Sequence, residues 1–534
     1  MRYAYPIAAA LAAGTMVVGA TSAFANSGFS YMEPVANGVG IKVLATAGDK
    51  INGYTLFGVP DGMGVLQDGK NVTILMNHEL SASDKIAGVA KRANGLLTAS
   101  TVSALNFDTT TGTIVGATEL LKNVSWYDYA TGQYGSKPTA PTGAAAKDSY
   151  GTTNHNNALN RLCSSSTVQP GTLSYKDASG ITYGYTGPAY LTTEEGSDES
   201  RAFISDTSGN LIQLPRLGLG GKETAVVVPT GSKVTAVMSN EDGAATASQL
   251  FMYVGEKTTS GSWIEKAGLS NGKNYVMSVD GYANDNLIRN NAGKGKALPV
   301  GFKEIDWTKN GVAQNDDAMK LGTVLARVED GAFDPKNPNT YYFITTESNK
   351  DPKATAPNPA LPTTSRDGGA LWKLEFNDVK NPLAGAKLTM LLDGSESAYL
   401  SKPDNLEVDG FGNILIQEDP GGNDAVARLL AYRISDGKLV TVAKFKDVYF
   451  KPGGAQFITN DEESSGIVNA TNLLAKNGDT KKYYFMNAQI HVPASKARLD
   501  LAGNTAVAQQ LEDSIEGGQV YLLTIPNWDL VYNS

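Results

Sequence analysis

Acidic side chains gather where short apolar runs end. Asn77-His78-Glu79 follows the run 72–76, and Thr192-Thr193-Glu194-Glu195 follows Tyr190-Leu191. Asn240-Glu241-Asp242, Glu329-Asp330, Glu347, Glu418-Asp419 and Asp461-Glu462-Glu463 stand at the ends of similar runs. Neighbouring like charges repel, so a paired acid needs a reason. For any one pair, a solvated turn is the ordinary reading. Seven such clusters in one chain favour cation binding, because calcium takes six to eight oxygen ligands. Cys163 is the sole cysteine. It is open to three readings: a buried inert thiol, a metal ligand, or half of an intermolecular disulfide. As a ligand it would add a softer metal, since thiolates select iron, zinc or copper over calcium.

Other chemistries lack their residues. There are three histidines, and no two share the H-x-x-x-H spacing of a zinc helix. No G-x-S-x-G elbow and no phosphate-binding glycine loop occur. The formal net charge of −9 gives no electrostatic case for nucleic acid as a partner.

The elements that must position these acids read as strands. Alternating, β-branched and aromatic runs occupy 103–108, 201–205, 211–214, 250–254, 340–344, 405–409, 414–417, 429–433, 439–442 and 518–524. Glycine or asparagine bends lie between several of them, as at Gly410-Phe411-Gly412-Asn413. A polar hairpin is expected to end near Trp263-Ile264. The grammar of strand, acid, glycine turn and strand repeats without a fixed period, which describes an all-β propeller with degenerate blades. A β-sandwich with insertions is the alternative. One short helix is expected at Ala506–Ile515, and 132–147 and 350–364 read as loops.

The first 25 residues carry Arg2, an apolar stretch from Pro6 to about Gly19, and Ala23-Phe24-Ala25. This is the pattern of a secretory signal peptide of the general export route. The expectation is a signal at 1–25, a single propeller domain at 26–534, and a periplasmic or secreted location. No later stretch is long and apolar enough for an integral membrane segment.

Six elements in order carry a family resemblance. They are Leu75-Met76-Asn77-His78-Glu79; Cys163 with Leu191-Thr192-Thr193-Glu194-Glu195; Asn240-Glu241-Asp242 with Leu250-Phe251-Met252-Tyr253-Val254; Arg327-Val328-Glu329-Asp330; Pro403-Asp404-Asn405-Leu406; and 457–466 with Gln489 and His491. Together they resemble the PhoX-type alkaline phosphatases, exported six-bladed β-propellers with a mixed iron and calcium centre. The resemblance implies a metal-dependent phosphatase acting on small-molecule phosphate esters. Fe3+ would be held by Cys163, Glu195, Glu329 and Glu463. Ca2+ would be held from among Glu194, Asp404, Glu79, Glu418 and Asp419. Glu195, Glu329, Lys222 and Arg161 would be the catalytic candidates, with Arg327 a further phosphate contact, in a monomer.

The chain departs from the family in three ways. It carries an insertion from Thr167 to Ala189, its signal has no twin-arginine pair, and Leu219-Gly220-Gly221-Lys222-Glu223 stands where the family has an Arg-Phe-Lys-His-Glu stretch. The lost arginine would have been a bidentate phosphate clamp. The alternative reading is therefore a non-enzymatic, calcium-stabilised exported propeller that binds a surface or extracellular ligand. Hydrolysis of another ester or a lactone is a third.

Overall fold

The computed structural model describes residues 28–81, 99–149, 151–244, 247–347, 369–396, 398, 400–422 and 425–534. The expected signal at 1–25 and loop at 350–364 lie outside them. Six four-stranded antiparallel units are arranged in a ring. Their innermost strands are Pro60–Asp68, Leu162–Val168, Lys222–Val227, Val328–Asp334, Pro403–Val408 and Glu462–Asn469. Each of these strands packs against the next, and the sixth packs against the first. The fold is thus an all-β propeller of six blades.

The strand residues explain the ring. In the fifth blade Ile414 and Ile416 face the fourth blade, while Leu415 between them faces the sixth. Successive side chains of a strand point to opposite faces, so a strand buried on both sides needs an unbroken apolar run. Six apolar clusters fill the six junctions between blades in this way.

The ring is closed across the sequence. Gly40–Thr46 pairs with Glu516–Ile525 and supplies the outermost strand of the sixth blade. Leu298–Ile305 pairs with both Lys273–Val279 and Ala386–Leu392, joining the third and fourth blades into a nine-stranded sheet. The insertion Thr167–Ala189 forms a small hairpin, Ser174–Lys176 with Thr182–Gly184, whose Gly184 N–H donates to Thr258 O on the third blade. The expected hairpin end at Trp263-Ile264 is instead a short helix, Trp263–Lys266. Glu265 accepts from the Ser262 N–H at 2.7 Å, closing a capping box that a strand could not use. The expected helix at Ala506–Ile515 is a 3-10 turn, Thr505–Val507, followed by Ala508–Asp513.

The axis is narrow because glycine lines it. A Cβ on Gly466 would lie 2.5 Å from Asp61 O, and one on Gly62 would lie 2.3 Å from Ser165 N. Both are contacts between innermost strands of neighbouring blades. Gly466→Ala is expected to lower stability by about 1–3 kcal/mol, the usual cost of overpacking, measured by urea unfolding of the purified protein.

Candidate metal centre

The innermost strands all deliver a candidate metal ligand at the same place. Their second residues are Asp61, Cys163, Glu223, Glu329, Asp404 and Glu463. In each blade the pairing register breaks within a few residues of this position. A bulge of this kind re-aims side chains, here toward the axis. The second strands add a further set: Glu79, Glu195, Asp242 and Asp419 each follow a strand end directly.

Backbone geometry repeats with the ligands. Val59, Arg161, Arg327 and Lys402 each sit two residues before a ligand and have φ of 40°, 50°, 62° and 48°. Left-handed backbone at bulky residues costs roughly 1–3 kcal/mol each and persists only where the surroundings enforce it. What enforces it is a shared hydrogen bond. Their carbonyls accept from the N–H of Glu79, Glu195, Thr346 and Asp419 at 2.9, 2.9, 3.0 and 2.9 Å.

Eight carboxylates and one thiol thereby form overlapping groups of three, the ligand atoms of each group lying within 4.8 Å of one another. The groups are Asp61, Glu79 and Cys163; Cys163, Glu195 and Glu223; Glu223, Glu329 and Asp404; and Asp404, Asp419 and Glu463. Basic side chains border them. Arg161 Nη2 lies 2.5 Å from Glu79 and 2.7 Å from Glu195. Arg327 pairs with Asp242 at 2.5 Å and lies 3.4 Å from Glu329. His491 stands between Glu463 and Glu516 at 3.6 and 3.2 Å.

The electrostatics ask for more positive charge. Burial, reinforced by neighbouring carboxylates, pushes Asp61, Glu223, Glu329 and Asp404 well above the usual carboxyl range. Glu463 is pushed up to about 7 and Asp242 to about 8, burial being the chief cause in each. Burial is the largest influence on Glu195 and opposes its charge, but the Arg161 charge together with hydrogen bonds from Asp242, Cys163 and Arg161 outweighs it and holds that carboxyl at about 2. The Cys163 thiol lies 3.0 Å from Glu195 Oε2, and burial among anions pushes it well up. Asp61 Oδ1 is buried without a hydrogen-bond partner. An oxygen-rich set with one thiol and an orphaned carboxylate oxygen fits hard cations together with a thiolate-accepting metal.

A cavity of about 550 Å³ opens onto this cluster and is lined by Arg161, Glu195, Asp198, Asp242 and Arg327, among others. No residue of the hairpin 174–184 lines it.

The structure brings Cys163, Glu79, Glu195, Glu329, Asp404, Asp419 and Glu463 together, but not Glu194 and Glu418, the other two acids expected to hold metal. Glu194 is held by Arg201 through both carboxylate oxygens at 2.7 Å. Glu418 is held by Arg428 in the same way, at 2.7 and 2.6 Å. Both are turned away from the axis, as alternation along a strand requires. Lys222 is buried beside Glu241, 5.4 Å from the Phe251 ring centroid, and does not line the cavity. Sequence reasoning missed Asp61, Glu223 and Asp242 as site residues. The repeat of Pro60-Asp61 at Pro403-Asp404 was the available signal for the first.

A sequence model of the family described as alkaline phosphatase PhoX matches residues 207–471. The chain is a divergent member of the PhoX-type alkaline phosphatase superfamily. This metal-dependent PhoX family places it among phosphoric ester hydrolases. The solved structure of Pseudomonas fluorescens PhoX, in complex with vanadate, a transition state analogue, matches with a TM-score of 0.60 at 13% identity. The match covers 93% of this chain and 96% of that one. The soluble aldose sugar dehydrogenase of Escherichia coli matches at a TM-score of 0.34 and 9% identity, over 92% of this chain and 100% of that one. No curated protein matches in sequence. Among the described residues, no helix is long and apolar enough to cross a membrane.

A PhoX-type cluster so arranged should report its own loading. Carboxyls raised in the folded chain stabilise it fully below about pH 4 and lose that contribution as pH rises through the folded values, about 7 for Glu463 and 8 for Asp242. Chelator-stripped protein should therefore melt at lower temperature as pH is raised from 5 to 8, by calorimetry. Metal-loaded protein should show a flatter profile over the same window.

Proposed function

We propose that this PhoX-type chain is an exported phosphatase that hydrolyses small-molecule phosphate esters at an iron and calcium centre on the propeller axis. The observation that supports this most is the convergence of one ligand from every blade beneath a cavity bordered by Arg161 and Arg327. Cys163, Glu195, Glu329 and Glu463 would hold Fe3+, and Glu79, Asp404 and Asp419 would hold Ca2+. Asp61 and Glu223 complete the set. The bound cations would neutralise the carboxylates and draw electron density from the phosphoryl oxygens.

The chain's own residues would do the rest by positioning and charge. Arg161 is held in place by Glu79 and Glu195, and Arg327 by Asp242, so neither must be ordered when substrate arrives. Their partly exposed guanidiniums face the cavity, where they would bind the phosphoryl group of the ester. They take the place of the clamp that the family has and this chain lacks near Lys222. The carboxylates they neutralise are thereby kept from repelling the incoming dianion. Glu194, Glu418 and Lys222 have no part in this reading, since their polar groups face other partners.

Purified protein made without chelators should contain iron and calcium by mass spectrometry and release phosphate from p-nitrophenyl phosphate. Calcium without iron and without turnover would favour a binding propeller instead. Cys163→Ser should lose most of the iron and the activity. Unchanged iron content would remove Cys163 from the centre. Arg161→Ala should lower kcat/KM by at least tenfold, by initial rates.

A further inference from the structure

The hydrogen bonds just behind the ligands run from blade to blade and close on themselves. Asn77 Nδ2 of the first blade donates to Cys163 O of the second at 2.6 Å. Thr193 Oγ1 of the second donates to Glu223 O of the third at 3.0 Å. Asn240 Nδ2 of the third donates to Glu329 O of the fourth. Thr346 Oγ1 of the fourth donates at 2.7 Å to Pro403 O, the residue before Asp404 in the fifth. Gln417 Nε2 of the fifth donates at 2.9 Å to Ser464 Oγ, the residue after Glu463 in the sixth. Asn487 Nδ2 of the sixth returns to Asp61 O of the first at 2.6 Å. All six donor residues are buried, five of them at 0% exposure. Two of the links carry a further clamp: Tyr190 and Tyr341 each donate a hydroxyl at 2.9 Å to the side-chain oxygen of Asn77 and Asn240.

We propose that Asn77, Thr193, Asn240, Thr346, Gln417 and Asn487 are positioning residues that set the spacing of the metal ligands by tying each blade's ligand-bearing strand to the blade before it. Four of the six act on the carbonyl of the ligand residue itself. The ligands repel one another, and apolar packing between blades is non-directional. Apolar packing alone does not fix the ligand residues against sliding along their strands. A side chain that accepts no substitute geometry does, because a hydrogen bond weakens steeply with misalignment. Orienting contacts of this kind, behind a metal's own ligands, typically govern metal affinity by about 10–100-fold.

The proposal rests on the metal centre described above, and its test separates the two. Full-length wild type, Thr193→Val, Thr193→Ser and Asn240→Ala would each be titrated with calcium and with iron against a competing chelator, with melting temperatures measured in the stripped and loaded states. Thr193→Val keeps the shape of the side chain and removes only the hydroxyl, so it tests the idea even if Asn240→Ala does not fold. Thr193→Val is expected to bind metal about tenfold or more weakly than wild type, and Thr193→Ser to restore the wild-type affinity. A drop in melting temperature that is equal in both states, with unchanged metal affinity, would overturn the positioning role. Failure of the wild type itself to bind either metal would overturn the metal centre instead.

Discussion

Mutual repulsion at the axis governs this molecule. Eight carboxylates and a buried thiol are held within a few ångströms of their neighbours, with Arg161, Arg327 and His491 among the basic side chains beside them. Nothing local favours that arrangement. It is imposed by the six apolar junctions, which bury strands on both faces and leave the start of each innermost strand no other direction. The left-handed residues before the ligands show the same tension in the backbone. They sit in an unfavourable conformation because a neighbouring ladder end takes their carbonyl.

The doubled acids resolve into a division of labour. In Glu194-Glu195 and Glu418-Asp419, the first acid turns to a cation: Arg201 and Arg428 respectively. The second turns to the axial site. A like-charged pair is thus split between two faces of one strand end, one half anchoring the blade and the other facing the cavity or cluster. A buried carboxylate with a bidentate arginine is satisfied, so Glu194 and Glu418 have no oxygen left to offer a metal.

Much of the fold was legible because strands announce themselves. The run Ile414-Leu415-Ile416 with glycine turns before it gives both the strand and its burial on two faces. The strand-end acids were legible as a class for the same reason. Which acid of each pair faces the axis was not, because that depends on the parity of the strand and on a cation brought from elsewhere in the blade. Asp61 and Glu223 were hidden differently. Each lies near the start of a strand, next to Pro60 or Lys222, and superposing the blades shows that both occupy the position of Cys163. The helix Gly311–Leu321 was also missed, since its few apolar residues give no clear stripe.

Closure of the sixth blade joins distant parts of the chain. Its outermost strand is Gly40–Thr46, and the strand it pairs with, Glu516–Ile525, lies almost five hundred residues later. Until both are present, Glu463 and Asp61 have no reason to meet, and the acids of the other blades face an open slot of water. The full cluster therefore depends on pairing between strands from the two ends of the ring, and not on any one blade. A cation seated among these acids would thus tie the first blade to the sixth, adding a cross-link between residues some four hundred positions apart in sequence.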